Sequence, residues 1–528
     1  MKSAKSLASL VSVIALLMSH PALAQVSPDE LDALKDEAVT GVESRSKLVQ
    51  EMVDSLFSFG ELAMQEVESA RYVTAILEQN GFTVTRGVAG IPTAWTATWT
   101  NGAGGPVIAV GSDVDGIPKA NQIPGVARRE PLVEGAPGHG EGHNSGLAVN
   151  VAAALAVKDI MARENIPGTL LLWPGVAEEP VAAKAFFVRE GVFEDADAVL
   201  FTHVGSNLQT SWGQENGTGG ISVLYTFTGE SAHSAGAPWR GRSALDAVEL
   251  MNAGWNYRRE HLRPEQRSHY VITDGGDFPN VVPSTATVWY YVREQTFENI
   301  AANYQISQRM AEAAAMMTDT EVTSRIIGTA APRHMNRPIA EAAQANIEAI
   351  GLPTWTEDEQ RFARAVQELV DGEQTGLDTE LADIGEPLPE PRSGGSDDIG
   401  DVSWTRPTIT IRFPSNIPNL PGHNWSNAIS MATPIAHKGA VAGAKVMAMT
   451  MLDLFVQPNL IQSAQTYFDE VQTKDMSYQP VLTDEQPYIE MNADIMAQFR
   501  EQMRPYYYDP SKYDSYLDQL GIAWPPQD

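Results

Sequence analysis

Three apolar runs constrain this chain most, because each ends in residues that a core does not keep. They are "PVIAVGSDVDGIP" (106–118), "GTLLLWPGVAEEP" (168–180) and "DAVLFTHVG" (197–205). Each apolar stretch has the length of a strand buried on both faces. The segments between them read as helices, most clearly 146–163. Strands alternating with helices give a parallel sheet flanked by helices. Such sheets bind ligands at the carboxyl ends of their strands. Asp113, Asp115, Glu178, Glu179 and His203 all fall at such ends. The pattern that predicts the fold therefore also predicts where a site lies.

Upstream, 46–81 has apolar residues at helical spacing and stops at Asn80-Gly81. "FTVTRGVA" and "TAWTATWT" alternate like strands. Beyond residue 216 the pattern changes. "GISVLYTFTGE", "HYVITDGG", "ATVWYYVRE" and "EVTSRIIGTA" read as strands, and "SALDAVELMNAGWNYRRE" and "FENIAANYQISQRMAEAAAMM" as helices. That order, β-α-β-β-α-β, is a ferredoxin-like unit over 217–334. It is inserted between a first part of the main domain (25–216) and a second (335–456). The second part holds a helix in "NRPIAEAAQANIEAIG", a late strand "PTITIRF" and a closing helix "GAVAGAKVMAMTMLDLF". The acidic stretch 354–392 reads as a loop-rich surface excursion. The polar extension 457–528 is expected to cover the inserted unit or a neighbouring subunit.

The formal net charge of -31 argues against nucleic acid as a partner, since nothing would neutralise its phosphates. "MKSAKSLASLVSVIALLMSHPALAQ" has two lysines, an apolar core and a small-residue site, and reads as an export signal over 1–24. An uncleaved anchor is the alternative. The expectation is a periplasmic or secreted protein, not attached to a membrane once the signal is removed. The chain contains no cysteine, so it forms no disulfide and offers no thiolate to a metal.

"PGHGEGHN" (137–144) places His139, Glu141 and His143 among glycines, directly before a helix; His423 lies in the loop "LPGHNW". Without thiolates, imidazole and carboxylate are the donors a zinc-like ion takes. Glu141, His143, Glu179, His203 and His423 would suit two adjacent divalent ions. A loop hydrogen bond explains any one of these histidines equally well; it explains their convergence at one sheet end far less well. In "VAEEP" the adjacent carboxylates repel, so a cation would hold one charged while the other shifts upward. Glu179 as ligand and Glu178 as general base divide the roles that way. An acidic first helical turn is the competing explanation.

The stretches "DVDGIP", "GHGEGHN", "GTLLLWPGVAEEPVAAKAFFVREGVFEDADAV", "THVG", "GESAHSAGAPWRGRSALDAVELMN", "HYVITDGGDFPNVVPSTATVWYYVRE", "DIGDVSW", "PGHNW" and "AHKGAVAGAKVMA" follow one another over 48–455. Together they resemble the metal-dependent aminoacylase/carboxypeptidase superfamily, in its amidohydrolase branch, of the aminobenzoyl-glutamate hydrolase B-subunit type. The resemblance implies an α/β fold. Its zinc-peptidase-like catalytic domain is a parallel or mixed sheet flanked by helices, with an inserted ferredoxin-like α+β lid and dimerisation domain. It implies a hydrolase of C–N amide bonds, two divalent metal ions (zinc or manganese) and a homodimer formed through the lid. The implied substrate is an N-acyl amino acid or a small peptide-like amide. A periplasmic dipeptidase or aminopeptidase is the alternative within the class. A binding homologue without catalysis is the alternative outside it.

Residue by residue, the resemblance implies His143, Glu179, His203 and His423 as ligands. Glu141 stands where the family commonly has a ligand cysteine. Glu178 is the implied catalytic base. His233 corresponds to a lid histidine that contacts the scissile carbonyl, often across a dimer, and Asn280 to a lid segment that approaches substrate. Asp113 is expected behind the metals, accepting from a ligand imidazole; Asp115 has the weaker case. Arg293 ends a lid strand and suits either a substrate carboxylate or a surface ion pair. His437 is expected to pack structurally and His139 to make a loop hydrogen bond. His261, His269 and His334 have only surface or strand contexts. A glutamate in place of a thiolate favours harder ions such as manganese.

Overall fold

The computed structural model describes residues 26–214, 217–387 and 394–525. The expected export signal lies outside the described residues. The chain starts with α1 (Pro28–Glu43), α2 (Ser46–Phe59) and α3 (Val67–Gln79). The single helix expected over 46–81 is thus two. Gly60 ends α2 in the left-handed region, φ +52, and Glu61 and Glu66 turn inward instead of continuing the helix. Glu61 accepts the amides of Glu68 and Ser69, and Glu66 that of Met64. Carboxylates that satisfy the first amides of a following turn start a helix; they do not prolong one.

The main unit continues through β1 (Thr83–Arg86), β2 (Trp95–Asn101), β3 (Val107–Asp113), α4 (Gly146–Glu164), β4 (Gly168–Gly175), α5 (Lys184–Arg189) and β5 (Ala198–Gly205). After β6 (Gly213–Gln214) comes the insertion: β7 (Gly219–Thr228), α6 (Ala244–Arg259), β8 (Arg267–Asp274), β9 (Thr285–Glu294), α7 (Phe297–Thr318) and β10 (Glu321–Ala330). The chain returns through β11 (His334–Met335), α8 (Arg337–Ile350), α9 (Glu357–Leu369), α10 (Ile399–Ser403), β12 (Thr408–Pro414), α11 (Trp425–Ala428) and α12 (Pro434–Val456).

The main sheet has the order β1-β2-β4-β3-β5-β12. Strands β1, β4, β3, β5 and β12 run in one direction and β2, between β1 and β4, in the opposite one, so the sheet is mixed. Helices α4 and α12 are almost entirely buried against it. Helix α12 is long and apolar enough to cross a membrane, but 89% of its most apolar window is buried inside the protein. It is a core helix.

The inserted sheet is antiparallel in the order β10-β7-β9-β8, the ferredoxin-like arrangement. Strand β9 alternates strictly. Ala286, Val288, Tyr290 and Val292 are buried in the core that this sheet shares with α6 and α7. Thr287, Trp289, Tyr291 and Arg293 occupy the opposite face.

One expectation is corrected and another is met in part. The stretch 354–392 is not only a surface excursion. It contains α9, started by a Thr356/Glu359 capping box, whose Phe362, Ala363 and Val366 are buried beside Leu377 and Ile417. The acidic composition masked this helix because only one face of it is apolar. The extension beyond 457 covers the inserted unit, as one of the two alternatives had it, and packs on the rest of its own chain as well. It forms α13 (Pro458–Tyr467), α14 (Ala493–Met503) and α15 (Tyr516–Gln519). Leu482 joins the lid core, Arg500 pairs with Glu61, and Trp524 packs on Phe362.

Candidate metal centre

The parallel strands deliver their ends to one place. After β3, the turn at Asp115 receives His143 from the loop before α4: His143 Nδ1 lies 3.1 Å from the Asp115 carbonyl. Donation of Nδ1–H to that carbonyl leaves the Nε2 lone pair free to face Glu141, whose Oε2 is 3.6 Å away. Gly142 makes this possible. Its φ is +119, and a Cβ there would come within 2.6 Å of Met431 Sδ. Only glycine lets Glu141 and His143 flank such a turn.

His203, at the end of β5, sets Nδ1 2.9 Å from the Val204 carbonyl and Nε2 3.6 Å from Glu141 Oε1. His423 comes from the loop after β12. Its Nε2 is 3.0 Å from Glu141 Oε2 and its Nδ1 3.5 Å from Glu179 Oε2. One donor atom each from Glu141, His143, Glu178 and Glu179 lies within 4.8 Å of the others. The five expected ligands and Glu178 are therefore all brought together, with Glu141 facing three imidazoles at once.

The donors fit a cation. His143 Nε2 and Glu179 Oε1 are buried without hydrogen-bond partners, and Glu141 Oε2 has only its contact with His423. Orphaned polar atoms are rare in proteins and costly unless something satisfies them. Burial, then the neighbouring Glu141, pushes Glu179 up to about 8. Burial also raises Glu141, but His143, His423 and His203 outweigh it and hold that carboxyl low. The bond from Glu141 and the charge of Glu179 raise His423 to about 9. Burial, then Arg412, lowers His203 to about 4, so it stands neutral at pH 7. The centre thus stores proton affinity on several donors that a divalent ion would displace.

Behind the donors the expected assignment is corrected. The acceptor at the His143 ring is Asp115, because its carbonyl and its carboxylate (3.7 Å) both face Nδ1. Asp115 also takes the amides of Glu178 and Glu179, each at 3.1 Å. Asp113 instead accepts from the buried Lys184 Nζ at 2.6 Å. Lys184 also donates to Asp398 and lies 3.8 Å from Asp397. Asp113 and Asp397 close on Glu178 from the inside. Burial first, then these two carboxylates, keeps the Glu178 carboxyl well above the usual range. The sequence holds one signal for this cation: "AAK" starts a helix after the acidic pair, where a buried lysine needs carboxylate partners.

Residues 218–318 match the peptidase dimerisation domain of the M20 family. Over 482 residues the chain is 33% identical to the B-subunit of p-aminobenzoyl-glutamate hydrolase from Escherichia coli, covering 85% of this chain and 95% of that protein. The chain belongs to the M20 peptidase family. It is also 26% identical to the mouse Xaa-Arg dipeptidase (Mus musculus), over 84% of this chain and 94% of that one. Among solved structures, the aminobenzoyl-glutamate utilization protein of Klebsiella pneumoniae superposes with a TM-score of 0.53 at 16% identity, covering 79% of this chain and 96% of that chain. That likeness is one of fold. This M20 chain is accordingly a hydrolase of amide bonds, of the aminobenzoyl-glutamate hydrolase type.

The lid residues of this M20 chain divide into two groups. His233, in the loop after β7, and Asn280, in the loop after β8, are both exposed, and the two loops meet at a bridge between His233 and Val281. His233 Nδ1 accepts the amides of Ala235 and Gly236, and the Asn280 carbonyl accepts from Ser234. Arg293 is different. It lies on the β9 face that carries Tyr291, its guanidinium 4.6 Å from that ring's centroid. Burial lowers its pKa, opposed by attraction to Tyr291 and Glu178. Among the described residues it makes no ion pair. His437 holds buried Asp54 at 2.6 Å, and His139 faces the Leu56 carbonyl at 3.0 Å, both structural.

Proposed function

We propose that this protein is an exported, dinuclear-metal amidohydrolase that removes the acyl group from N-acyl amino acids. The convergence of Glu141, His143, Glu179, His203 and His423, with buried donor atoms left unpartnered, carries the reading. A pair of divalent ions, zinc or manganese, would supply Lewis acidity and make water nucleophilic near neutral pH. Glu141, facing three imidazoles, would hold metal together with them. Glu178, beside the ligands and raised in proton affinity, takes the proton from the attacking water and passes it to the departing amine nitrogen. Asp115 orients His143 and both glutamate amides.

Arg293 supports an anionic substrate: it is a half-buried cation with attraction to Glu178 and no carboxylate partner of its own among the described residues. Beside it a cleft of about 230 Å³ is lined by His269, Tyr270, Val271, Trp289 and Tyr291. An aromatic-walled cleft next to an arginine suits a flat acyl group joined to an amino acid carboxylate. The p-aminobenzoyl-glutamate named for the Escherichia coli relative has that form. His233 and Asn280 would act from the lid of a second copy in a homodimer, where His233 Nε2 could reach a substrate oxyanion. The site of action is the periplasm or exterior, on the strength of residues 1–24.

The test is metal analysis of the purified protein combined with a screen of N-aroyl amino acids, N-acetyl amino acids and dipeptides. Two equivalents of bound metal with preference for N-aroyl acidic amino acids is the expected outcome. Preference for dipeptides would move the reading to a dipeptidase. Failure to hydrolyse any amide with zinc, manganese or cobalt supplied would overturn it in favour of a binding protein.

A further inference from the structure

The turn that carries Glu178 and Glu179 is strained at both ends. Ala177 and Val181 adopt left-handed φ values of +51 and +50. For a β-branched valine that region is a genuine outlier, and such conformations persist only where surroundings over-determine them. The catalytic unit holds the amide side of the turn. Glu66 accepts from Ala177 at 2.8 Å, and Asp115 from Glu178 and Glu179. The carbonyls of Glu179 and Val181 face the lid instead. Tyr291, on β9, donates its hydroxyl to the Glu179 carbonyl at 2.7 Å. Gly328, at a register shift in β10, lies so close that a Cβ would stand 2.0 Å from the Val181 carbonyl oxygen. Two lid strands thus close on a turn that bears one ligand and the base.

We propose that Tyr291 is a positioning residue through which the lid holds Glu179 in its ligating pose. The inference rests on the metal-centre reading above. Its physical basis is the strain: released from the lid, the turn relaxes at Val181 and rotates the Glu179 peptide, and its side chain leaves the donor set. Lid position and metal affinity are therefore linked, with the Tyr291 hydroxyl as the connection. The ring itself also lines the aromatic cleft, so the hydroxyl must be removed alone.

Full-length metal-free protein is titrated with zinc against a chromophoric chelator, comparing wild type, Tyr291→Phe, Gly328→Ala and Tyr290→Phe. Tyr290 neighbours Tyr291 but bonds Asn252 inside the lid core, so its variant tests lid stability alone. The expected result is that one of two zinc equivalents weakens about 10-fold in Tyr291→Phe. Gly328→Ala weakens the same equivalent, and Tyr290→Phe leaves both unchanged. In Tyr291→Phe kcat falls while KM for an N-acyl substrate holds, because the aromatic wall is intact. Unchanged zinc affinity in Tyr291→Phe overturns the proposal, as does equal weakening in Tyr290→Phe. If wild type binds no zinc, the metal-centre reading itself fails, a result distinct from either.

Discussion

Asp115 Oδ2 accepts the amide proton of Glu179 at 3.1 Å, while the main-chain carbonyl of the same aspartate faces His143 Nδ1 at 3.1 Å. One residue therefore sets the direction of two donors that come from different loops. Changing Asp115→Asn replaces one accepting oxygen with an NH2 group pointed at an amide N–H. The Glu178–Glu179 turn must then shift. Metal affinity is expected to fall about 10- to 100-fold, the usual consequence of losing a partner behind a ligand. Zinc titration of wild type and variant checks this; unchanged affinity would show that the carboxylate is dispensable for the donors.

If Glu178 is the proposed base and not a ligand, its removal separates chemistry from binding. Glu178→Gln keeps the shape and removes the proton acceptor. The expected loss in kcat is about 10²- to 10⁴-fold, with KM and metal content near wild type. Steady-state kinetics with metal analysis of the same preparation measures both. A variant that loses its metal as well would mark Glu178 as a ligand instead of a base.

Much of this was legible in the sequence, for a physical reason. Strands ending in Asp115, Glu178–Glu179 and His203 must place those residues at one sheet edge, and the alternation in "ATVWYYVRE" assigns Tyr291 and Arg293 to one face. The break at Gly60 was hidden because the apolar spacing continues across it. Which of Asp113 and Asp115 serves His143 depends on a buried lysine far away in the chain, and no local pattern encodes that pairing. The Tyr291 bond to Glu179 joins separate units and leaves no periodic trace.

Lys184 is fully buried among Asp113, Asp397 and Asp398. Burial alone would lower its pKa, but Asp113 and Asp398 outweigh it and hold the ammonium charged. Lys184→Met leaves three carboxylates facing each other in the interior. Breaking a buried pair this way costs about 3–5 kcal/mol. Urea unfolding is expected to show that loss, and adding Asp398→Asn to the variant should recover part of it by removing one uncompensated charge.

Burial lowers His334 to about 4 from its ordinary 6.5. The unfolded chain takes up this proton as pH falls below 6.5, whereas the folded chain resists it until about 4. Stability from this group is therefore complete above pH 6.5 and is lost progressively as pH falls toward 4. At pH 5 the loss is on the order of 1–2 kcal/mol. His334→Gln keeps a polar partner for Tyr467, 3.2 Å from the imidazole, without titrating. The drop in unfolding free energy between pH 7 and pH 5 should be smaller in the variant by that amount; an equal drop would assign the acid lability elsewhere.

Changing Glu141 tests whether the proposed centre holds one ion or two. Its Oε2 faces His423 and His143, and its Oε1 faces His203, so neither oxygen is redundant. Glu141→Ala is expected to reduce bound metal below two equivalents and weaken what remains, because the imidazoles lose the carboxylate between them. Replacement by a thiolate makes the complementary test. A soft donor favours zinc over manganese, whereas a carboxylate accepts both. Glu141→Cys should therefore raise zinc affinity relative to manganese in a competition titration, and should become sensitive to oxidants that leave wild type unaffected. If metal occupancy and activity both survive Glu141→Ala unchanged, Glu141 is a loop acid, and the glycine-rich turn contributes His143 alone.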